Sequence, residues 1–343
     1  MVLIQSLLLA GCLLWFAHDF IKKHAAACYG AACLISLIVI VAVWAGILPN
    51  TPWILPIFTQ GGLGGALFIA VMFAAAVPNG SRYMRLVMPI RGELSIIASI
   101  LTLGHNIAFG RTYFVRLFAG TALPFPILCA AICSLCMIVI MLPLFITSFR
   151  CVRRRMKPKS WKWLQRFAYA FYALMYVHVL LLNLPGAHSS TASAVNVILY
   201  SIVFLSYGCM RIRKAMLKRK YMLPARILPA IGLLLMIGIC VSIAIPQSAP
   251  PASAAQYADG TYTGAGIGYN GRITVQVTVE DCRISDIILK SSVDDEPYIT
   301  DAVRGVIPAV LETQSVQVDA ISGATYASNG IKDAIADALQ KAE

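Results

Sequence analysis

Acidic residues are almost absent from the first three-quarters of this chain. Between residues 1 and 254 only Asp19 and Glu93 carry negative charge, against 22 Lys and Arg. Charge of either sign is scarce throughout, at 13% of 343 residues, about half the usual share of a soluble domain. With 59% hydrophobic residues and a mean hydropathy of +0.76, so few charges exclude an ordinary water-soluble protein and indicate a membrane protein. Paired cysteines are lacking too. Nine of the ten lie in the apolar part and Cys282 stands alone in the tail, so no disulfide framework is implied. Cys133 and Cys136 have CxxC spacing, but within an apolar run and with no second pair. They read as small packing hydrophobes rather than a metal or redox pair. A nucleotide-binding domain is also missing. Gly266, Gly268 and Gly271 satisfy GxGxxG on paper, yet a strand pattern follows where the dinucleotide fingerprint needs a helix, so the motif reads as a turn.

What is present is a series of apolar runs near 2–17, 25–48, 61–78, 94–114, 123–148, 163–184, 193–210 and 227–246. A crossing of ~30 Å of hydrocarbon takes about 20 residues, so eight spans are expected. The first lacks the basic flank and small-residue cleavage site of a signal peptide and reads as a retained helix. Lys and Arg accumulate on the cytoplasmic side of short loops. Lys22 and Lys23, then Arg82, Arg85 and Arg91, then FRCVRRRMKPKSWKWLQR and RIRKAMLKRKYMLPAR mark four cytoplasmic loops. LPNTPWILPIFTQ and NLPGAHSSTAS carry no Lys or Arg and should face outward, Arg111 and Arg116 being the exceptions on that side. Both termini are then extracytosolic. The basicity follows from membrane topology, so no nucleic-acid partner is expected and membrane lipid is.

Three parts follow: a membrane domain over 1–246, a Pro/Ala/Ser linker over 247–255 of the extended kind, and a tail domain over 256–343. The tail reverses the charge balance, with 13 Asp and Glu against six Lys and Arg. In RITVQVTVE, Ile273, Val275, Val277 and Val279 alternate with polar residues, the pattern of a half-buried strand, and DCRISDIILK reads as its hairpin partner. NGIKDAIADALQKA places Ile331, Ala334, Ile335, Ala338 and Leu339 on one helical face. The fold class expected is an all-α membrane bundle of about eight helices plus a small extracytosolic α+β domain.

Two histidines lie inside apolar spans, where ionisable side chains are costly and face a partner, cavity or cofactor. His105 and His178 stand about 11 and 15 residues from the cytoplasmic ends of their spans, or ~17 and ~23 Å at 1.5 Å per residue. A shift of a few residues in the helix starts makes those depths equal. Two neutral imidazoles on facing helices suit the axial positions of a haem iron; they equally suit an interhelical hydrogen-bonding pair. His188 falls at the outer end of its span, as a further haem ligand or a residue of a wet loop. His18 and His24 read as interfacial. Arg111 and Arg116 fit either haem propionates or snorkelling to water.

MRLVMPIRGELSIIASILTLGHNIAFG, a basic loop, and WKWLQRFAYAFYALMYVHVLLL together resemble the ferric reductase-like transmembrane domain over roughly residues 60–210. That resemblance implies haem b between helices, with His105 and His178 as axial ligands and His188 as an extra histidine of the bacterial branch. Two-haem members carry a second histidine further along each helix, where this chain has Phe118 and Thr191, so one haem is expected. The cytosolic FAD/NAD-binding domain of full ferric reductases is absent.

The tail stretch YADGTYTGAGIGYNGRITVQVTVEDCRISDIILK, followed by DAISGATYASNG, resembles the FMN-binding domain of membrane-anchored subunits in sodium-pumping and related respiratory complexes. There a flavin transferase esterifies FMN through its phosphate to the last residue of Asp-x-x-Ser/Thr-Gly-Ala-Thr. The resemblance implies covalent FMN on Thr325, with Asp319, Ser322, Gly323 and Ala324 completing the motif. Read without it, SGATYASNG is a helix-entry loop with Ser328 as N-cap and the helix starting near Ser328 or Asn329. Together the two resemblances imply an electron conduit, an oxidoreductase or electron-transfer component of ferric reductase-like kind. Electrons from a membrane quinol or a separate cytosolic flavoprotein would pass through haem to the extracytosolic FMN and on to an external acceptor. Inward flow from flavin to quinone, or a permease with a ligand-sensing tail, are the alternatives.

Overall fold

The structure, a computed structural model, describes residues 2–45, 55–118, 125–187, 191–244, 257–296, 298–321 and 324–342. It divides into two compact units. One comprises Met1–Val115, Ala130–Leu180 and Ile198–Cys240; the other comprises Arg116–Cys129, Leu181–Val197 and Val241–Glu343.

The apolar part is helical, the one open-ended geometry that satisfies every backbone N–H and C=O in lipid. Its helices are α1 (Val2–Phe16), α2 (His18–Lys23), α3 (Ala25–Trp44), α4 (Leu55–Thr59), α5 (Gly62–Ala76), α6 (Arg82–Val87), α7 (Arg91–Phe118) and α8 (Phe125–Ile146). After these come α9 (Arg150–Arg155), α10 (Pro158–Leu164), α11 (Phe167–Asn183), α12 (Thr191–Lys218) and α13 (Met222–Ala244). The basic stretch after α8, expected as a loop, folds into α9 and α10, where Arg153 lies 4.3 Å over the Trp161 ring.

Among the described residues six helical stretches are long and apolar enough to cross a membrane: Ala25–Trp44, Arg82–Arg111, Phe125–Ile146, Pro158–Gly186, Ser193–Lys218 and Met222–Ile243. The other two expected spans form helices of 15 residues each, α1 and α5, about 22 Å long at 1.5 Å per residue. Their limits have local causes. Gly61, at φ +70°, starts α5 from the left-handed region, and Pro78 forces Val77 into extended geometry at its end. The ammonium of Lys214 on α12 donates to the carbonyls of Ala75 (3.1 Å) and Val77 (2.7 Å), satisfying acceptors that the end of α5 leaves open.

Close helix approach in this unit relies on small residues. A Cβ added at Gly62 of α5 would stand 2.4 Å from Ser6 Oγ on α1, and one at Gly104 of α7 would stand 2.5 Å from Ser36 Cβ on α3. The Ser36 hydroxyl donates to Ile100 O (3.3 Å) and the Trp44 indole to Ala108 O (3.3 Å), so α3 and α7 run alongside in the same direction. At their other end Arg150 is ion-paired with the buried Glu93. Arg111 lies 5.1 Å over the Trp44 ring.

The tail in the second unit is an antiparallel sheet of order β1-β2-β3: β1 (Gly260–Ile267), β2 (Arg272–Glu280) and β3 (Arg283–Ser292). Asp281 and Cys282, both at positive φ (52° and 58°), make the tight β2–β3 turn. As the alternation requires, Ile273, Val275, Val277 and Val279 are all buried. They form one core with α14 (Tyr298–Thr313) and α15 (Thr325–Gln340), to which α15 contributes Ile331, Ala334, Ile335, Ala338 and Leu339. β1 contains one of the GxGxxG residues, Gly266, and packing explains it together with Gly264: a Cβ on Gly264 or Gly266 would stand 2.0 or 2.1 Å from the α15 carbonyls of Ala334 or Gly330.

Candidate functional site

Two centres emerge, one in each unit. In the membrane helices, α7 carries His105, whose Nδ1 lies 2.7 Å from Thr59 O at the end of α4. Gly61 is next to the same ring: a Cβ there would lie 3.2 Å from two of its carbons. The α4–α5 turn therefore cradles the imidazole, using a glycine that needs both its positive φ and its missing side chain. α11 carries His178, whose Nδ1 lies 3.2 Å from Ala130 O and 3.1 Å from Ser134 Oγ, both on α8.

A carbonyl can only accept, so in each ring the Nδ1 beside it is the protonated nitrogen, and the lone pair is left on Nε2. Metal-bound histidines are commonly held this way, with the second nitrogen donating to a carbonyl that fixes tautomer and ring angle. The donor chemistry of His105 and His178 thus fits two axial ligands. Among the described residues no group of three or more His, Cys, Asp or Glu gathers into a metal site, and an axial pair needs only two.

In the tail the centre is the start of α15. The helix begins at Thr325, three residues earlier than the expected N-cap at Ser328. Ser328 is fully buried inside the first turn. Its amide donates to Ala324 O (2.8 Å) and its hydroxyl accepts from the Ile321 amide (3.1 Å). Ala324, not Ser328, occupies the capping position. The change comes from Ser328 tying the preceding loop across the first turn instead of ending the helix. Thr325 is thereby the first helical residue, where the leading amides have no intrahelical acceptor and the dipole favours an anion. The Lys332 ammonium donates to Val318 O (3.0 Å) and feels the carboxylates of Asp333 and Asp319; burial pushes its pKa down, and burial pushes the Asp333 carboxyl up. Beside Thr325, the Tyr326 ring lies 5.8 Å from Tyr269. Burial raises both phenols, Tyr326 to about 12, so both are protonated donors at neutral pH.

A family model described as FMN-binding domain matches residues 268–340. The tail is an FMN-binding domain. Over 342 residues, covering 94% of both chains, the sequence is 37% identical to an uncharacterized protein of Treponema pallidum (strain Nichols), and the two belong to one family. An 87-residue stretch is 32% identical to the NADH:acrylate oxidoreductase of Vibrio harveyi, covering 25% of this chain and 9% of that one. The FMN-binding domain thus takes in β2, β3, α14 and α15, and its matched range contains Asp319, Ala324 and Thr325. Ser322, Gly323 and His188 lie outside the described residues, as does the linker at 247–255.

Sequence reasoning missed Thr59 and Gly61 beside His105, and Ala130 and Ser134 beside His178. No periodicity marks a residue whose role is to orient a side chain from another helix. It also missed Tyr326 and Tyr269, the aromatic pair next to Thr325.

Proposed function

We propose that this protein is a membrane electron conduit, taking electrons through haem b held by His105 and His178 to FMN esterified to Thr325. The observation that carries this reading is the FMN-binding domain joined to membrane helices whose two intramembrane histidines each present Nε2. When bound, haem would supply one-electron exchange and FMN one- or two-electron exchange. The chain's own residues do the rest. Thr59 and Ala130 accept the Nδ1 protons and fix the imidazole tautomers. Thr325 supplies the ester oxygen, with Asp319, Ser322, Gly323 and Ala324 as its recognition motif. The first amides of α15 would hold the phosphate, and Tyr269 and Tyr326 would offer aromatic faces to the flavin ring.

The same reading makes α1 and α5 crossing helices, eight in all. Val2 and Ser6, at the start of α1, adjoin Gly62, at the start of α5, an arrangement compatible with alternate spans running in the same direction. Both termini and the tail are then extracytosolic, opposite the basic loops. A flavin transferase matures the tail; a membrane quinol or a cytosolic flavoprotein donates electrons, and an extracytosolic acceptor receives them. The likeness to part of an NADH:acrylate oxidoreductase supports a flavin-linked redox role.

Protein made alongside a flavin transferase should show flavin fluorescence on a denaturing gel and a b-type spectrum on dithionite reduction. Absence of both overturns the reading. Sidedness is tested at Cys282, which is exposed on the β2–β3 turn. A membrane-impermeant thiol reagent should label intact cells more strongly than cells carrying Cys282→Ser, and equal labelling places the tail inside.

A further inference from the structure

The turn that closes α11 makes a specific contact with the start of α15, both within the second unit. Leu182 belongs to the last turn of α11, whose carbonyls outrun the available helical donors, and Pro185 withholds one amide from that end. The Tyr326 hydroxyl supplies a donor instead, 3.2 Å from Leu182 O. Four residues beyond Leu182 stands Gly186. A Cβ there would meet Thr325 Cγ2 at 2.9 Å and Ser193 Oγ at 3.2 Å, so the missing side chain is the space that the threonine methyl requires. The turn is held from behind, because the Asn196 amide on α12 donates to Asn183 Oδ1 (3.1 Å).

We infer that Leu182–Gly186 is a docking seat for the Thr325–Tyr326 corner of the FMN-binding domain, so that Tyr326 and Gly186 act as positioning residues for the flavin tether. The flavin half of this inference rests on the proposed ester at Thr325; the seat itself does not. Methyl and hydroxyl occupy separate positions on Thr325 Cβ, so seating the methyl against Gly186 leaves the hydroxyl as a distinct group to carry the ester. The seat is the outer end of the helix that carries His178, four residues before Leu182. Docking therefore fixes the point from which the flavin is hung to the cap of a proposed haem helix, rather than leaving it to a linker.

The test uses the full chain, made with a flavin transferase and kept in detergent, as wild type, Tyr326→Phe and Gly186→Val. Hydrogen exchange is followed in peptides covering 182–187 and 324–330, and covalent flavin by gel fluorescence. A seat predicts reciprocal effects: Tyr326→Phe speeds exchange several-fold in the α11 cap, and Gly186→Val speeds it several-fold at the start of α15. A residue that only stabilised its own element would move its own peptide alone. Exchange unchanged in the opposite peptide for both variants overturns the seat. Reciprocal exchange without gel fluorescence in any of the three proteins retains the seat and overturns the flavin ester.

Discussion

Ile331 on α15 and Leu234 on α13 are side chains of similar size and hydropathy. Yet Ile331 is fully buried in the tail core, whereas Leu234 is 67% exposed. The difference lies in the solvent. Water drives the tail's apolar residues onto one face, so burial tracks alternation in β2 and helical spacing in α15. Lipid is as apolar as leucine, so α13 turns apolar side chains outward without penalty and helix contacts fall to small residues such as Gly62 and Gly104. Hydrophobicity therefore reports the inside of the tail and the outside of the membrane helices. The candidate sites invert the same way: rare polar residues mark the one in the membrane helices, small residues the one in the tail.

The sharpest way to break this comparison is to separate the two centres. Thr325→Val should abolish covalent flavin completely, read on a denaturing gel, and leave the b-type spectrum intact, while His105→Ala should do the reverse. Loss of both signals in either variant would show a single coupled centre. Next in size, Ile331→Ala should destabilise the tail by about 2–5 kcal/mol, the usual range for a buried Ile or Leu. Leu234→Ala should stay within about 0.5 kcal/mol. Denaturant unfolding of the full chain in detergent measures both, and equal effects would contradict the reading of α13 as lipid-facing. Gly266→Val should cost about 1–3 kcal/mol by overpacking β1 against α15, seen as a lower thermal midpoint for the tail.

The smallest expected effect is electrostatic. The partly exposed Asp337 carboxylate accepts from the Lys341 ammonium (2.8 Å) and the Ala265 amide (2.8 Å), the lysine bond being the main cause of its lowered pKa. A depressed carboxyl stabilises the fold above its unfolded value near 3.8 and loses that contribution as pH falls through the lower folded value. Asp337→Asn should therefore lower the tail's thermal midpoint slightly at pH 7, and the gap from wild type should close below that range. A gap independent of pH would remove the carboxylate from the account.

Much of the tail was legible because its pattern is two-sided. β2, β3 and the buried face of α15 follow from residue spacing alone. α14 was legible in principle, with Ile299, Ala302, Val306 and Val310 buried at helical spacing, but Pro308 within it obscured the pattern. β1 was hidden because its glycines read as turn residues, and only the crossing of α15 shows why they occupy a strand. The start of α15 was misplaced because Ser328 has the chemistry of an N-cap, while its tertiary bond to Ile321 buries it one turn in. In the membrane helices, the candidate ligands His105 and His178 stood out by their cost in lipid, but the groups that orient them did not.

The sequence by itself determined that this chain inhabits a membrane, that its tail is a small α+β domain of opposite charge, and which histidines and which threonine bear the candidate chemistry. Composition and period are local properties, readable wherever one solvent dominates. Only the tertiary structure decided which nitrogen each histidine offers, where α15 begins, and that Gly186 meets Thr325 while Leu182 meets Tyr326. Those depend on carbonyls, missing Cβ atoms and ring positions supplied by segments distant in sequence, and no local pattern records such meetings.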